Sequence, residues 1–191
     1  MTTLADYQNE QDQGTKEFPI HPAGSHIARL ADAWILPTRP GQPNKDGKSK
    51  PYTPIQSILV TKKKDENGNA IWVWYQVGSG IYISQRGKSK MYQFYEALLG
   101  QTLGEKEALA VNLEDVIGKY VRLAITHLPH TDDPKKMSAQ VTSVSALSED
   151  DDGHPEISLK GYVRPKGKKV NYWTCQPKWE DNSEMDLGDT P

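Results

Sequence analysis

The strongest constraint on this chain is a hairpin signature in its first half. The pattern predicts one β-strand over Ile55–Lys64 and another over Ala70–Val77. The turn between them contains Asn67-Gly68, a pair typical of the type I′ turns that join antiparallel strands. We therefore expect an antiparallel hairpin, with the rest of a mainly β domain built around it.

The other predicted elements complete a small barrel. Further strands are predicted over His26–Leu36, Tyr120–His127 and Ser138–Leu147, and helices over Ser89–Leu99 and Leu113–Ile117. Ser89 is a good N-cap and Gly100 a good C-terminal stop for the longer helix. Gly78-Ser79-Gly80 breaks the third strand, which Ile81–Ser84 would continue. The order β-β-β-α-β-β predicts an OB-fold-like five-stranded Greek-key barrel with one helix between strands 3 and 4.

The charges fall into opposed blocks. Residues 20–147 carry 16 basic and 11 acidic side chains, and residues 157–178 carry six basic and no acidic ones. Residues 148–156 and 179–191 carry five acids each and no base, and residues 1–19 carry four acids and one base. Such segregation is typical of a polyanion binder with acidic extensions.

These blocks predict the domain organisation. We expect a flexible arm over 1–19, an OB-like domain over 20–147, an acidic linker over 148–156, a basic and aromatic hairpin over 157–178, and a disordered acidic tail over 179–191. The strands of the extra hairpin are predicted over Ile157–Val163 and Val170–Cys175. Residues 37–54, with five prolines, are predicted to form a long loop.

The strand over Ala70–Val77 carries the main functional signal. Alternation places Trp72 and Trp74 on the face opposite to Ile71, Val73, Tyr75 and Val77. Outward aromatic side chains on an OB-fold can stack on unpaired bases. Alternatively, both tryptophans pack under the loop 37–54 or in a subunit interface.

Further candidate contacts surround the two tryptophans. Alternation in the fourth predicted strand leaves Tyr120 and Arg122 on the outer side. The remaining candidates are basic clusters with neighbouring tyrosines: Lys62, Lys63 and Lys64; Tyr82, Arg86, Lys88 and Lys90; and Lys45, Lys48, Lys50 and Tyr52. Lysines neutralise backbone phosphates and make binding salt-dependent.

Catalytic signatures are weak in this sequence. The five histidines and the single Cys175 show no metal-ligand spacing, and no phosphate-binding loop or nucleophile elbow is present. We expect a non-enzymatic protein without cofactor or metal; a metal-dependent nuclease using Asp132-Asp133 or Asp150-Asp151-Asp152 is the alternative. The polar N-terminus, one cysteine and lack of a long apolar run predict a cytoplasmic protein without membrane association.

Three short stretches carry a resemblance to a known family. Gly24–Leu30, Lys88–Met91 and Ile117–Val121, with the acidic tail, resemble phage-encoded single-stranded DNA-binding proteins. The resemblance implies a protein that coats single-stranded DNA during replication or recombination in the host cytoplasm. It also implies contacts to replication or recombination proteins through Glu180–Pro191, and a homodimer is an option. A protein-interaction module that blocks a host enzyme, and an RNA or duplex DNA binder, are the alternatives.

Overall fold

A computed structural model describes residues 20–43, 46–66, 68, 70–129, 136–151, 153–154, 156–164 and 178–179. Its strands are β1 (Gly24–Ile35), β2 (Arg39–Pro43), β3 (Ser49–Tyr52), β4 (Pro54–Lys64), β5 (Ala70–Gly78), β6 (Ile83–Ser84), β7 (Gly87–Lys88), β8 (Tyr120–Pro129), β9 (Met137–Ser145), β10 (Tyr162–Val163) and β11 (Lys178–Trp179). Its helices are α1 (Lys90–Leu99), α2 (Glu105–Ala110) and α3 (Leu113–Val116). The predicted mainly β class is confirmed.

The main sheet is antiparallel, with the strand order β5-β4-β1-β8-β9. β1 lies at its centre, where Arg29 pairs with Val60 of β4 and with Tyr120 of β8. All five predicted strands of the barrel are present, but the sheet is open, because no ladder joins β5 to β9 in the described residues. The segment between β5 and β8 contains the two predicted helices, as α1 and α3, and one additional helix, α2.

The inner face of the sheet packs against α1. Ser89 accepts a hydrogen bond from the Tyr92 amide, and Gly100 ends the helix in the left-handed conformation at φ 65°, as predicted. The apolar side of α1 buries Met91, Phe94 and Leu98 against the inner residues of the strands. This core holds the sheet and therefore fixes which side chains of β5 point outward.

The outer face of the sheet carries a second, smaller core. It consists of Ala31, Ile58, Val60, Ala70 and Ile157, with Trp34, Trp72, Tyr120, Leu159 and Tyr162 packed around them. Ile157 comes from the segment between Ser148 and Arg164, which we call the strap. The strap lies across the outer side of β1 and β8, so residues 148–156, predicted as a linker, also contact the sheet.

Three connections differ from the predicted ones. The segment 37–54, predicted as a loop, contains the β2–β3 hairpin. Its prolines lack the amide donor that a strand ladder uses, so the sequence does not indicate strands there. Ile83–Ser84 pairs with Gly87–Lys88 in a separate hairpin and does not continue β5. Near the C-terminus, Tyr162–Val163 pairs with Lys178–Trp179, whereas the predicted strand Val170–Cys175 lies outside the described residues.

The predicted arm over 1–19 and the tail from Glu180 also lie outside the described residues. Among the helices that the structure describes, none combines the length and apolar character required to cross a membrane.

Candidate nucleic-acid interface

Two tryptophans lie side by side on the outer face of β5. Val73 and Tyr75 face the inner core, which confirms the predicted alternation. The ring centroids of Trp72 and Trp74 are 5.0 Å apart, and the rings meet edge to face at 64°. Trp72 packs against the outer core, whereas Trp74 is 37% exposed. Trp74 is therefore the member of the pair that presents ring surface to a ligand.

The β2–β3 hairpin brings a cation to the same face. Arg39 donates a hydrogen bond of 3.2 Å to Gln76, which in turn donates one of 2.8 Å to the buried Gln56. The Arg39 guanidinium also lies 5.3 Å from the centre of the Tyr52 ring. Gly78 lets the Tyr52 ring lie close to the backbone of β5, because a Cβ at this position would lie 2.9 Å from that ring. Arg39 is thus held beside the exposed tryptophan by an amide and an aromatic ring.

Arg39 and Gln76 are not among the contacts that the sequence predicts. Gln76 lies two residues after Trp74 on the same alternating face, so periodicity already contains its signal. Arg39 pairs with Tyr52 across the proline-rich hairpin, and no periodicity predicts that pairing. The position of Arg39 at this site therefore becomes visible only in the folded chain.

Lysines lie at both ends of the tryptophan pair. Lys48 and Lys50 are exposed on or beside the β2–β3 hairpin, near the end of β5. Lys62–Lys64 are exposed at the end of β4, and Lys64 pairs with Ala70 at the start of β5. β5 itself, with nine residues, is about 26 Å long at about 3.3 Å per residue. Lys45 lies outside the described residues.

The β6–β7 hairpin presents a further exposed group. Tyr82 is 56% exposed, and Arg86 is exposed at the turn of the hairpin. Lys90 is exposed at the first residue of α1. These three predicted contacts are therefore accessible to a ligand.

Lys88 has a structural role in the fold. Its ammonium group forms an ion pair with Glu96 and lies 4.7 Å from the centre of the Tyr92 ring. Burial would raise the pKa of Glu96, but hydrogen bonds from Lys88 and the Leu103 amide, with the Lys88 charge, lower it below its usual value. Lys88 therefore joins α1 to the preceding hairpin, and its charge is already partly compensated.

Tyr120 and Arg122 lie on the predicted outer face but beneath the strap. Arg122 forms an ion pair with Asp151, whose side chain is only 3% exposed. The Tyr120 ring lies 4.5 Å from the His154 ring, and its hydroxyl accepts a 3.1 Å hydrogen bond from the Ile157 amide. The Arg122 side chain is 37% exposed, but its charge is paired with Asp151, and Tyr120 is half-buried against the strap.

The far end of the strap is attached to the sheet by a polar cluster. Asp32 of β1 accepts hydrogen bonds from the Tyr162 hydroxyl at 3.1 Å and from its neighbouring Ala33 amide. Arg164 lies 3.0 Å from the Asp32 carboxylate and also contacts Glu114. Burial raises the pKa of Asp32, and the Arg164 charge opposes that rise. Hydrogen bonding to Glu114 is the main cause that raises the pKa of Arg164.

No known protein-family model matches this chain, and comparison with curated proteins gives no significant match. In the part of the chain that the structure describes, no three His, Cys, Asp or Glu side chains cluster in a way that could hold a metal ion. The residues of the site offer aromatic stacking surface, fixed cations and amide groups.

Proposed function

We propose that this protein is a non-enzymatic single-stranded DNA-binding protein of phage type, acting in replication or recombination. The observation that carries the proposal is the exposed Trp74 beside the fixed cation Arg39, with lysines at both ends of the strand. An aromatic ring offers a stacking surface to any base, and cations along the same path suit the phosphate backbone.

The strand order supports an OB-type domain as the scaffold. The five strands of the main sheet follow one another as third, second, first, fourth and fifth in the chain, and the helices come between the third and fourth. The two end strands, β5 and β9, approach to within 8 Å between Cα atoms. We infer a partly open barrel of the OB type, in which the second and third strands commonly form the nucleic-acid-binding face.

In the proposed mechanism, Trp74 stacks on a base while Arg39, Lys48 and Lys50 contact phosphates on one side and Lys62–Lys64 on the other. The two lysine groups make the path longer than one nucleotide. Tyr82 and Arg86 would extend it beyond the end of β5. Stacking accepts every base, so we propose coating of single strands with little sequence preference.

Protein partners are proposed for the acidic tail Glu180–Pro191. Its five acids lie among Met185 and Leu187, so it can offer both charge and apolar contacts to replication or recombination proteins. A homodimer through an exposed sheet edge is compatible with this arrangement. The protein would act in the host cytoplasm.

Trp74→Ala is expected to weaken binding of a labelled poly-dT oligonucleotide. Loss of one base–aromatic stack costs about 1–3 kcal/mol, which corresponds to a roughly 5- to 150-fold rise in Kd. Fluorescence anisotropy titrations at a fixed low salt concentration measure the change. Trp74→Phe keeps an aromatic ring and should retain most of the affinity.

Leu109→Ala is the matched control, because it removes an exposed apolar side chain from α2, away from β5. Its Kd should equal that of the wild type. Unlabelled duplex DNA and RNA serve as competitors, and we expect single-stranded DNA to compete best. Absence of poly-dT binding by the wild type at low salt would overturn the proposal and direct the search towards a protein partner. Better competition by RNA or duplex DNA would change the class of ligand.

Arg39→Gln is expected to weaken binding equally for all base compositions and to lower its salt dependence. One lost phosphate contact reduces the slope of log K against log salt by about 0.7 for a single strand. Titrations at four salt concentrations measure that slope. Arg39→Lys keeps the charge and should keep the slope, although it loses the planar contact with Tyr52. An unchanged slope in Arg39→Gln would remove Arg39 from the phosphate path.

A further inference from the structure

The strap divides into two parts that are held in different ways. Residues 148–154, which we call the arm, read Ser-Glu-Asp-Asp-Asp-Gly-His and contain no apolar side chain. Residues 157–164, which we call the anchor, bury Ile157 and attach to Asp32 through Tyr162 and Arg164. The arm therefore depends on polar and ring contacts, whereas the anchor has apolar burial and a buried polar cluster.

The arm contacts the sheet through two kinds of group. Asp151 places its carboxylate on the guanidinium of Arg122, and His154 places its ring 4.5 Å from that of Tyr120. The Arg29 guanidinium lies 5.4 Å from the centre of the same Tyr120 ring and donates hydrogen bonds to the Gly118 and Ile157 carbonyls. A single strand could make the same two kinds of contact: its phosphate would bind an arginine as the Asp151 carboxylate does, and its base would stack on a tyrosine as the His154 ring does.

We propose that Arg29, Tyr120 and Arg122 form a second nucleotide-binding subsite, and that the arm closes it until a long single strand displaces the arm. This inference rests on the proposed function, since it extends the strand path from β5 across the sheet. The anchor stays attached and keeps the arm close, so the arm competes at a high effective concentration. A short oligonucleotide occupies the surface around Trp74 alone and leaves the arm in place.

Electrostatics favour the exchange of one polyanion for another. The arm brings Glu149, Asp150 and Asp151 to the surface around Arg122, so its departure separates the Arg122 guanidinium from Asp151 and removes acids at the same time. The internal hydrogen bonds of the arm, from Ser148 to Asp151 and from the His154 amide to the Asp151 carbonyl, lose the support of the sheet when the arm leaves and open more often. The contacts that hold the arm on the sheet are those to Arg122 and Tyr120, which the nucleic acid replaces.

The test compares two oligonucleotide lengths in the full-length protein. An OB-fold covers about 4–16 nucleotides, so we use poly-dT of about 5 and about 20 nucleotides. Asp151→Asn weakens the grip of the arm on Arg122, and Kd for the long oligonucleotide should fall roughly three- to tenfold because more molecules are open. Kd for the short oligonucleotide should stay unchanged.

Asp150→Asn is the matched control, because it removes the same charge from the exposed neighbouring residue. It should change Kd for both lengths by the same small factor. Equal effects of Asp151→Asn and Asp150→Asn on the long oligonucleotide would overturn the closed subsite and leave the site around Trp74 intact. If the wild type binds neither length, the proposed function fails, and this inference fails with it.

Hydrogen exchange of the wild-type protein provides a readout that needs no variant. Saturation with the long oligonucleotide should raise exchange at amides within the arm, including those of Asp151 and His154, whose partners are the Ser148 and Asp151 carbonyls. The Tyr162 amide, bonded to the Leu159 carbonyl in the anchor, should keep its protection. Unchanged or increased protection of the arm at saturation would contradict displacement, even if Asp151→Asn fails to fold.

Discussion

Phe94→Ala is expected to lower the free energy of unfolding by about 3–5 kcal/mol, the range for removing a buried phenylalanine ring. Phe94 is fully buried between α1 and the inner face of the sheet, and its ring meets Tyr75 of β5 edge to face at 5.0 Å. Its loss leaves a cavity in the main core and removes an aromatic pair. Urea unfolding at 25 °C, followed by tryptophan fluorescence and by circular dichroism, measures the change.

Leu109→Ala serves again as the control, because this apolar side chain is 62% exposed on α2. Its free energy of unfolding should change by less than about 0.5 kcal/mol. A loss of less than about 1 kcal/mol in Phe94→Ala would contradict the packing of α1 on the sheet. The assignment of Trp74 to the outer face would then also be in question, because it follows from the contact between Phe94 and the inward-facing Tyr75.

Local patterns predict the parts of the fold that local physics determines. The alternation of Val73, Trp74 and Tyr75 gives the faces of β5 directly, because successive side chains of a strand point to opposite sides. The limits of α1 follow from Ser89 and Gly100. The Ser89 side chain accepts a hydrogen bond from a free amide at the start of the helix, and Gly100 adopts the left-handed conformation that ends it. These predictions need no information about distant residues.

Contacts between distant residues explain what the sequence does not reveal. Asp151 reaches Arg122 across 29 positions, and Tyr162 reaches Asp32 across 130. Nothing in the periodicity of the acidic segment distinguishes a solvated linker from a strap that covers the sheet. The same limit applies to Tyr120, whose predicted outward direction is right but whose surface is taken by Ile157 and His154.

Arg164→Met is the second substitution with a large expected effect on stability. It leaves the Asp32 carboxylate, whose side chain is 2% exposed, without its cation. Removing one partner of a fully buried ion pair costs about 3–5 kcal/mol, and the Arg164 side chain is 38% exposed, so solvent screens part of its contribution. We expect the free energy of unfolding at pH 7 to fall by about 2–3 kcal/mol.

The loss in Arg164→Met should shrink as the pH falls. Burial already raises the pKa of Asp32 in the folded protein, and removal of the opposing Arg164 charge raises that pKa further. A carboxyl group with a raised folded-state pKa destabilises the fold when it is ionised, so protonation relieves the cost. The relief begins as the pH falls through the folded-state pKa and is complete below the unfolded value of about 3.9. Urea unfolding at several pH values between 7 and 4 measures it.

The double variant Asp32→Asn with Arg164→Met separates the buried charge from the lost packing. With no carboxylate at position 32, its deficit relative to the wild type at pH 7 should be smaller than that of Arg164→Met alone. The variation of its stability with pH should also lack the contribution of this group. A deficit of Arg164→Met that stays constant from pH 7 to 4 would show that the buried charge is not its cause. If Arg164→Met is as stable as the wild type, the Asp32 cluster does not anchor the strap. The proposed displacement of the arm would then lack the attachment that keeps the arm close to the sheet.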